Sequence, residues 1–160
     1  MLKGKKKKRG NRKNSESSKK LSEPETAVVQ KDSLAKQIQE TTADLYYISE
    51  TDAIVLPFDG QQVQSVSREA ILEQTENAPD APVEERGFTE FFARLIEIQD
   101  WFGDEERKTA EKYLLLKKLL EKHLRDLKVY KIGKVQIDIY IVGLDAENKL
   151  TGIKTKAVET

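Results

Sequence analysis

The densest group of residues able to do chemistry is the run QDWFGDEE, which gathers Asp100, Asp104, Glu105 and Glu106. Carboxylates spaced this way can hold a divalent cation or, in the first turn of a helix, meet the unpaired backbone N–H groups there. The run lacks the Asp-x-Asp-x-Asp-Gly pattern of a calcium loop, which favours helix capping. Little else is available. The chain has no cysteine, which excludes disulfides, thiolate metal sites and cysteine nucleophiles. Its one histidine, His123, rules out a multi-histidine metal site and would have to anchor any Ser-His-Asp triad. In LLEKHLRDL it falls near the end of a helical segment, where a cation or half-buried ring suits the dipole. No Gly-rich phosphate loop, nucleophile elbow or HExxH motif occurs. The chemistry on offer is that of a binding domain without a cofactor, not an enzyme.

Charge is distributed to match. Residues 1–20 carry ten Lys or Arg against the single acid Glu16, a net of +9, whereas residues 21–160 hold 18 basic and 27 acidic residues, a net of −9. The basic block, with Lys5, Lys6, Lys7, Lys8, Arg9, Arg12 and Lys13, has the composition of a weak nucleic-acid-binding arm, an import signal or a solubilising extension. Trp101, beside Phe102 in a break between two helices, is either a lid over the core or an interface anchor. An acidic body presenting an exposed aromatic suits a basic, nucleic-acid-binding protein as partner.

The elements that must position these residues follow from periodicity. At 160 residues the chain accommodates one domain of ordinary size. Residues 1–32 lack apolar anchors and repel themselves, so a disordered basic tail is expected there, with a domain over 33–160. A helix capped by Asp32 or Ser33 should run to about Asp44, with Leu34, Ile38 and Leu45 on one face. AIVLPF (53–58) and QVQSV (62–66) read as a hairpin around the turn DGQ. Ser67 caps a short helix to about Thr75, and ENAPDAPVEERG (76–87) reads as loop. Helices follow at about 89–96 and 104–126, the second with Ala110, Tyr113, Leu114, Leu116, Leu120 and Leu124 near helical spacing. Strands at 128–133, 135–143 and 150–159 form an antiparallel meander, with Val135, Ile137, Ile139 and Ile141 on a core face. The fold class is α+β, helices layered on a mainly antiparallel sheet. No apolar run is long enough to span a membrane and no signal-peptide h-region follows the basic start, so a cytoplasmic monomer is expected.

The segments SETD (49–52), LPFDG (56–60), ILEQT (71–75), DAP (80–82), FF (91–92), QDW (99–101), VYKIGKVQIDIYIVG (129–143) and GIKTKAVET (152–160) occur in this order. Together they resemble the nuclease A inhibitor family, small protein inhibitors of sugar-non-specific ββα-metal nucleases. The resemblance implies a three-layer α/β/α sandwich that plugs the nuclease active site. It also implies that Glu50, in a Ser-Glu-Thr loop, points at the nuclease's catalytic metal. Thr160 matches the family's C-terminal threonine, which approaches the same metal, with Glu159 beside it. Trp101 falls on an interface tryptophan, and Thr155 is a further contact. One departure is the apolar stretch AIVLPFDG after the Ser-Glu-Thr loop, which is expected to shift the hairpin and the aim of Glu50.

Two functions therefore compete. One is an inhibitor of a sugar-non-specific endonuclease. The other is a nucleic-acid-associated adaptor whose tail binds polyanions and whose body binds another protein.

Overall fold

The computed structural model describes residues 34–160. The expected disordered tail and the helix cap at Asp32 or Ser33 lie outside the described residues. Gln37–Thr160 form a compact unit, and only residues 34–36 of the other unit, Met1–Lys36, are described. The first helix, α1, covers residues 34–42, and Ile38 and Leu45 beyond it are buried as their spacing predicts. It ends two residues earlier than expected. Thr42 returns its hydroxyl to Ile38 O at 2.8 Å, and Asp44 takes a left-handed conformation (φ 58°) that the helix cannot continue.

The three predicted C-terminal strands are present: β5 (Arg125–Ile132), β6 (Gln136–Leu144) and β7 (Lys149–Val158). They form an antiparallel meander inside a five-stranded sheet whose edges are β3 (Leu56–Gln62) and β4 (Val83–Gly87), in the order β3-β7-β6-β5-β4. The turn between β6 and β7 is held by Asp145, whose Oδ1 accepts from Glu147 N and Lys149 N, with Asn148 left-handed. The added edges, β3 and β4, are where the sequence reading needs correction.

The expected hairpin of 53–58 with 62–66 does not form. Residues 52–54 are β2 (Asp52–Ile54) and pair with β1 (Tyr46–Ile48), whereas β3 runs straight through the supposed turn and pairs with β7. Asp-Gly-Gln is accommodated by an irregular register between Asp59 and Gln62. Glycine fits there because a side chain at position 60 would collide with the Gln74 amide, which accepts from Gln61 N at 2.7 Å and donates to Gln61 O at 3.3 Å. Pro57 is tolerated because β3 is an edge strand. In the expected loop 76–87, the last five residues are the opposite edge, β4; its Glu84, Glu85 and Arg86 disguise a strand as loop, as edge strands often do. The long helix α4 (Asp104–His123) stops before 126 because Leu124 is extended and Asp126 is left-handed, which starts β5 three residues early.

Each face of the sheet is apolar. Helix α2 (Arg68–Gln74), capped by Ser67 Oγ accepting from Ala70 N at 3.1 Å, lays Ile71 and Leu72 on Tyr130, Ile132, Tyr140, Val142, Leu144 and Leu150. The opposite face carries Val129, Ile139, Ile141 and Ile153, all buried. Helix α3 (Phe88–Ile96) packs on α4 and β5, with Phe92 fully buried and edge-on to Tyr113 at 6.3 Å. The Tyr113 hydroxyl donates to Tyr46 O at 2.8 Å, which ties α4 to β1.

Gly152 lies between β6 and β3, where an added Cβ would strike the Ile141 carbonyl oxygen and lie 3.0 Å from Val142 Cα. Backbone cannot step aside as a flexible side chain can. Gly152→Ala is therefore expected to cost about 3 kcal/mol, the upper end for overpacking, measured by denaturant unfolding.

Candidate functional site

The tip of the β1–β2 hairpin is residues 49–51, and it is tied down by one hydroxyl. Ser49 Oγ accepts from Val158 N at 3.0 Å and donates to Thr51 O at 3.2 Å, while Ser49 N donates to Thr51 O at 2.9 Å. Glu50 N reaches Val158 O at 3.3 Å, so the tip pairs with the last residue of β7. Further down the hairpin, Thr155 Oγ1 donates to Ile54 O at 3.0 Å. Thr155 is buried, and its hydroxyl is engaged within the chain as a tether between β7 and β2.

This arrangement brings Glu50 and Thr160 into contact. Thr160 N donates to Glu50 Oε2 at 2.7 Å, and Thr160 Oγ1 lies 3.0 and 2.9 Å from Oε1 and Oε2, sharing its one proton between them. The Thr160 backbone N–H, and then its hydroxyl, hold the Glu50 carboxyl below the ordinary glutamate value. The result is a carboxylate that is solvent-exposed, ionised and restricted in direction. Among the described residues no group of three or more His, Asp or Glu side chains is placed to hold a metal ion. Glu50 can thus offer one oxygen ligand to an ion held by another molecule, and not a complete site.

Glu159 takes the other direction. Its Oε2 meets Lys131 Nζ at 2.8 Å, and its N–H donates to Val135 O at 2.9 Å. Beside this pair opens a groove of about 780 Å³ whose lining includes Tyr47, Glu50, Arg86, Arg94, Lys131 and Glu159. Tyr47 stacks on Phe91 with 5.8 Å between centroids, and burial raises its phenol.

Trp101 lies in the turn before α4, 73% exposed, with its ring edge-on to Phe102 at 4.7 Å. A ring so exposed is no lid over the core. Of the neighbouring acids, Glu106 accepts from Gly103 N at 2.9 Å, which is the helix-capping role expected for that cluster. His123 is the last residue of α4. The basic residues Lys5, Lys6, Lys7, Lys8, Arg9, Arg12 and Lys13 lie outside the described residues.

Sequence reasoning missed three contributors. Ser49 was legible as the first residue of a Ser-x-Thr turn. Lys131 was legible as a lysine in phase with Val129, on the buried face of a strand. Ile48, 68% exposed beside the tip, belongs to an outward apolar face shared with Tyr46 and Ile54. A three-residue strand leaves almost no periodic signal.

The lowered Glu50 value sets a pH dependence. A carboxyl whose folded value is depressed contributes stability above its unfolded value and loses it as pH falls through the folded one. The Glu50–Thr160 contact should therefore hold at neutral pH and open in acid, below the ordinary glutamate range. Following the Thr160 amide shift against pH checks this. Thr160→Val removes only the hydroxyl, so the midpoint should rise but stay below that of an ordinary glutamate.

Among curated proteins, none matches the chain. The model of one protein family, described as nuclease A inhibitor-like protein, matches residues 32–160. That span includes every described element, with the Ser-Glu-Thr tip, Trp101 and Thr160. The chain belongs to the nuclease A inhibitor-like family.

Proposed function

We propose that the chain inhibits a sugar-non-specific ββα-metal endonuclease by presenting the Glu50 carboxylate to its catalytic metal ion. The observation that carries this reading is the restraint of an exposed, ionised Glu50 by Thr160. A nuclease must hold a polyanion over a divalent cation, so its cleft is basic and its metal keeps positions open for phosphate oxygen and water. An immobilised carboxylate can take the place of the scissile phosphate, and it loses little conformational entropy on docking because its direction is already set. The net −9 of residues 21–160 steers association toward such a cleft. Exposed Ile48 beside the tip and exposed Trp101 offer apolar area that a protein partner can desolvate and a nucleic acid backbone cannot. In this reading the chain performs no chemistry of its own, is monomeric when free and works in the cytoplasm. Its body, residues 33–160, is a three-layer α/β/α sandwich, and Thr160 reaches the partner's metal region together with Glu50.

The basic composition of residues 1–20 favours a second role, weak tethering to nucleic acid. Removing residues 1–32 separates the two: inhibition should survive while nucleic-acid affinity is lost.

Glu50→Gln keeps the shape of the tip and removes its charge. Inhibition of a ββα-metal nuclease in magnesium should weaken roughly 10- to 100-fold, the range for losing a charge-assisted contact. Equal inhibition by this variant would remove the metal-directed role. Trp101→Ala should cost about 2 kcal/mol of binding with little change in melting temperature, since the ring is already exposed.

A further inference from the structure

Lys131 is nine-tenths buried, an environment that disfavours an ammonium unless it is paired. It sits on the face of β5 shared with Val129, directly across from Ile139 on β6 and Glu84 on β4. Glu84 is engaged elsewhere, with its Oε2 2.7 Å from Arg86 Nε. Lys131 instead meets Glu159 at 2.8 Å. Strand alternation puts Glu159 in phase with Thr155 and Ala157, which are both buried, so its side chain follows theirs toward the sheet face. The next residue is Thr160, whose N–H and hydroxyl hold Glu50.

We propose that the Lys131–Glu159 ion pair is a clamp that sets the direction of Glu50, with Lys131 and Glu159 acting as positioning residues through Thr160. Among the described residues, the segment beyond Val158 makes one backbone–backbone hydrogen bond, Glu159 N to Val135 O, and the ion pair turns the Glu159 side chain toward the sheet face. With Glu159 anchored on a buried cation, Thr160 is delivered to the hairpin tip. Glu159 then serves inside the molecule instead of meeting the partner. This deepens the inhibitor reading, on which its functional meaning rests, while the clamp is a property of the free chain. The other charged and titratable groups around the pair are Glu84 and Arg86 on β4, Tyr47 on β1, and Glu90 and Arg94 on α3.

The full chain tests the clamp by NMR, through the side-chain carboxyl titration of Glu50 and the exchange rate of the Thr160 amide. Lys131→Met keeps an unbranched apolar stem and removes the cation; Glu159→Gln removes the anion. If the pair acted on Glu50 only through its field, losing a positive charge would raise the Glu50 midpoint and losing a negative charge would lower it. A clamp predicts a rise in both variants and at least roughly tenfold faster Thr160 exchange, with β6 and β7 amides as protected as in the parent. Lys131→Arg, which keeps the charge, should restore the parent behaviour. A Glu159→Gln midpoint that falls or stays put, with Thr160 exchange unchanged, overturns the proposal. That variant decides alone if Lys131→Met does not fold, because the Glu159 side chain is half-exposed. If both variants loosen Thr160 but the parent leaves ββα-metal nucleases active, the clamp stands and the inhibitor reading falls.

Discussion

The candidate site depends on the ladder between β6 and β7. Its register runs without a break from Gln136↔Val158 to Leu144↔Leu150. Most residues of both strands are buried, so the pairing is specified from both faces of the sheet. A slip of β7 by one residue would carry Ile153, Thr155 and Ala157 to the face packed under α2 and Leu150 away from it, setting each side chain against neighbours shaped for another. The same slip would turn Glu159 away from Lys131 and remove Val158 from its exchange of bonds with Ser49 and Glu50. Hydrophobic registration in the core therefore determines, many residues away in sequence, where an exposed carboxylate points.

Two neighbouring acids at the site have opposite roles for electrostatic reasons. Glu159 faces a buried cation and completes it; an unpaired ammonium at that depth would be costly. Among the described residues, Glu50 meets hydrogen-bond donors that carry no charge, the N–H and hydroxyl of Thr160. Its negative charge is stabilised without being neutralised. In the proposed inhibitor reading that distinction matters, because a salt bridge within the chain would have to be broken before the carboxylate could meet a partner's cation.

The edges of the sheet are protected from pairing with other chains by different means. On β3, Pro57 removes a donor and the Gln74 amide takes both backbone groups of Gln61. On β4, consecutive charged residues and the Arg86–Glu84 pair discourage an added strand. An edge-to-edge aggregate is thus disfavoured, while three exposed apolar residues, Tyr46, Ile48 and Ile54, share one face of the small hairpin beside Glu50.

Periodicity in the sequence determined α2, α3, most of α4 and the meander, because each buries one continuous stripe or alternating face and needs no distant partner to declare it. The Ser67 cap and the first-turn acids of α4 were legible for the same local reason. The family resemblance, carried by ordered motifs from SETD to KTKAVET, singled out Glu50 and Thr160. Tertiary structure decided the rest. Residues 52–62 carry apolar side chains that suit either hairpin, and only the vacant edge of β7 and the tyrosines of β1 select the observed pairings. The burial of Thr155, the pairing of half-exposed Glu159 with Lys131 and the hold of Thr160 on Glu50 carry no local signal, because they turn on an ion pair between residues more than twenty apart and on hydrogen bonds spanning more than a hundred.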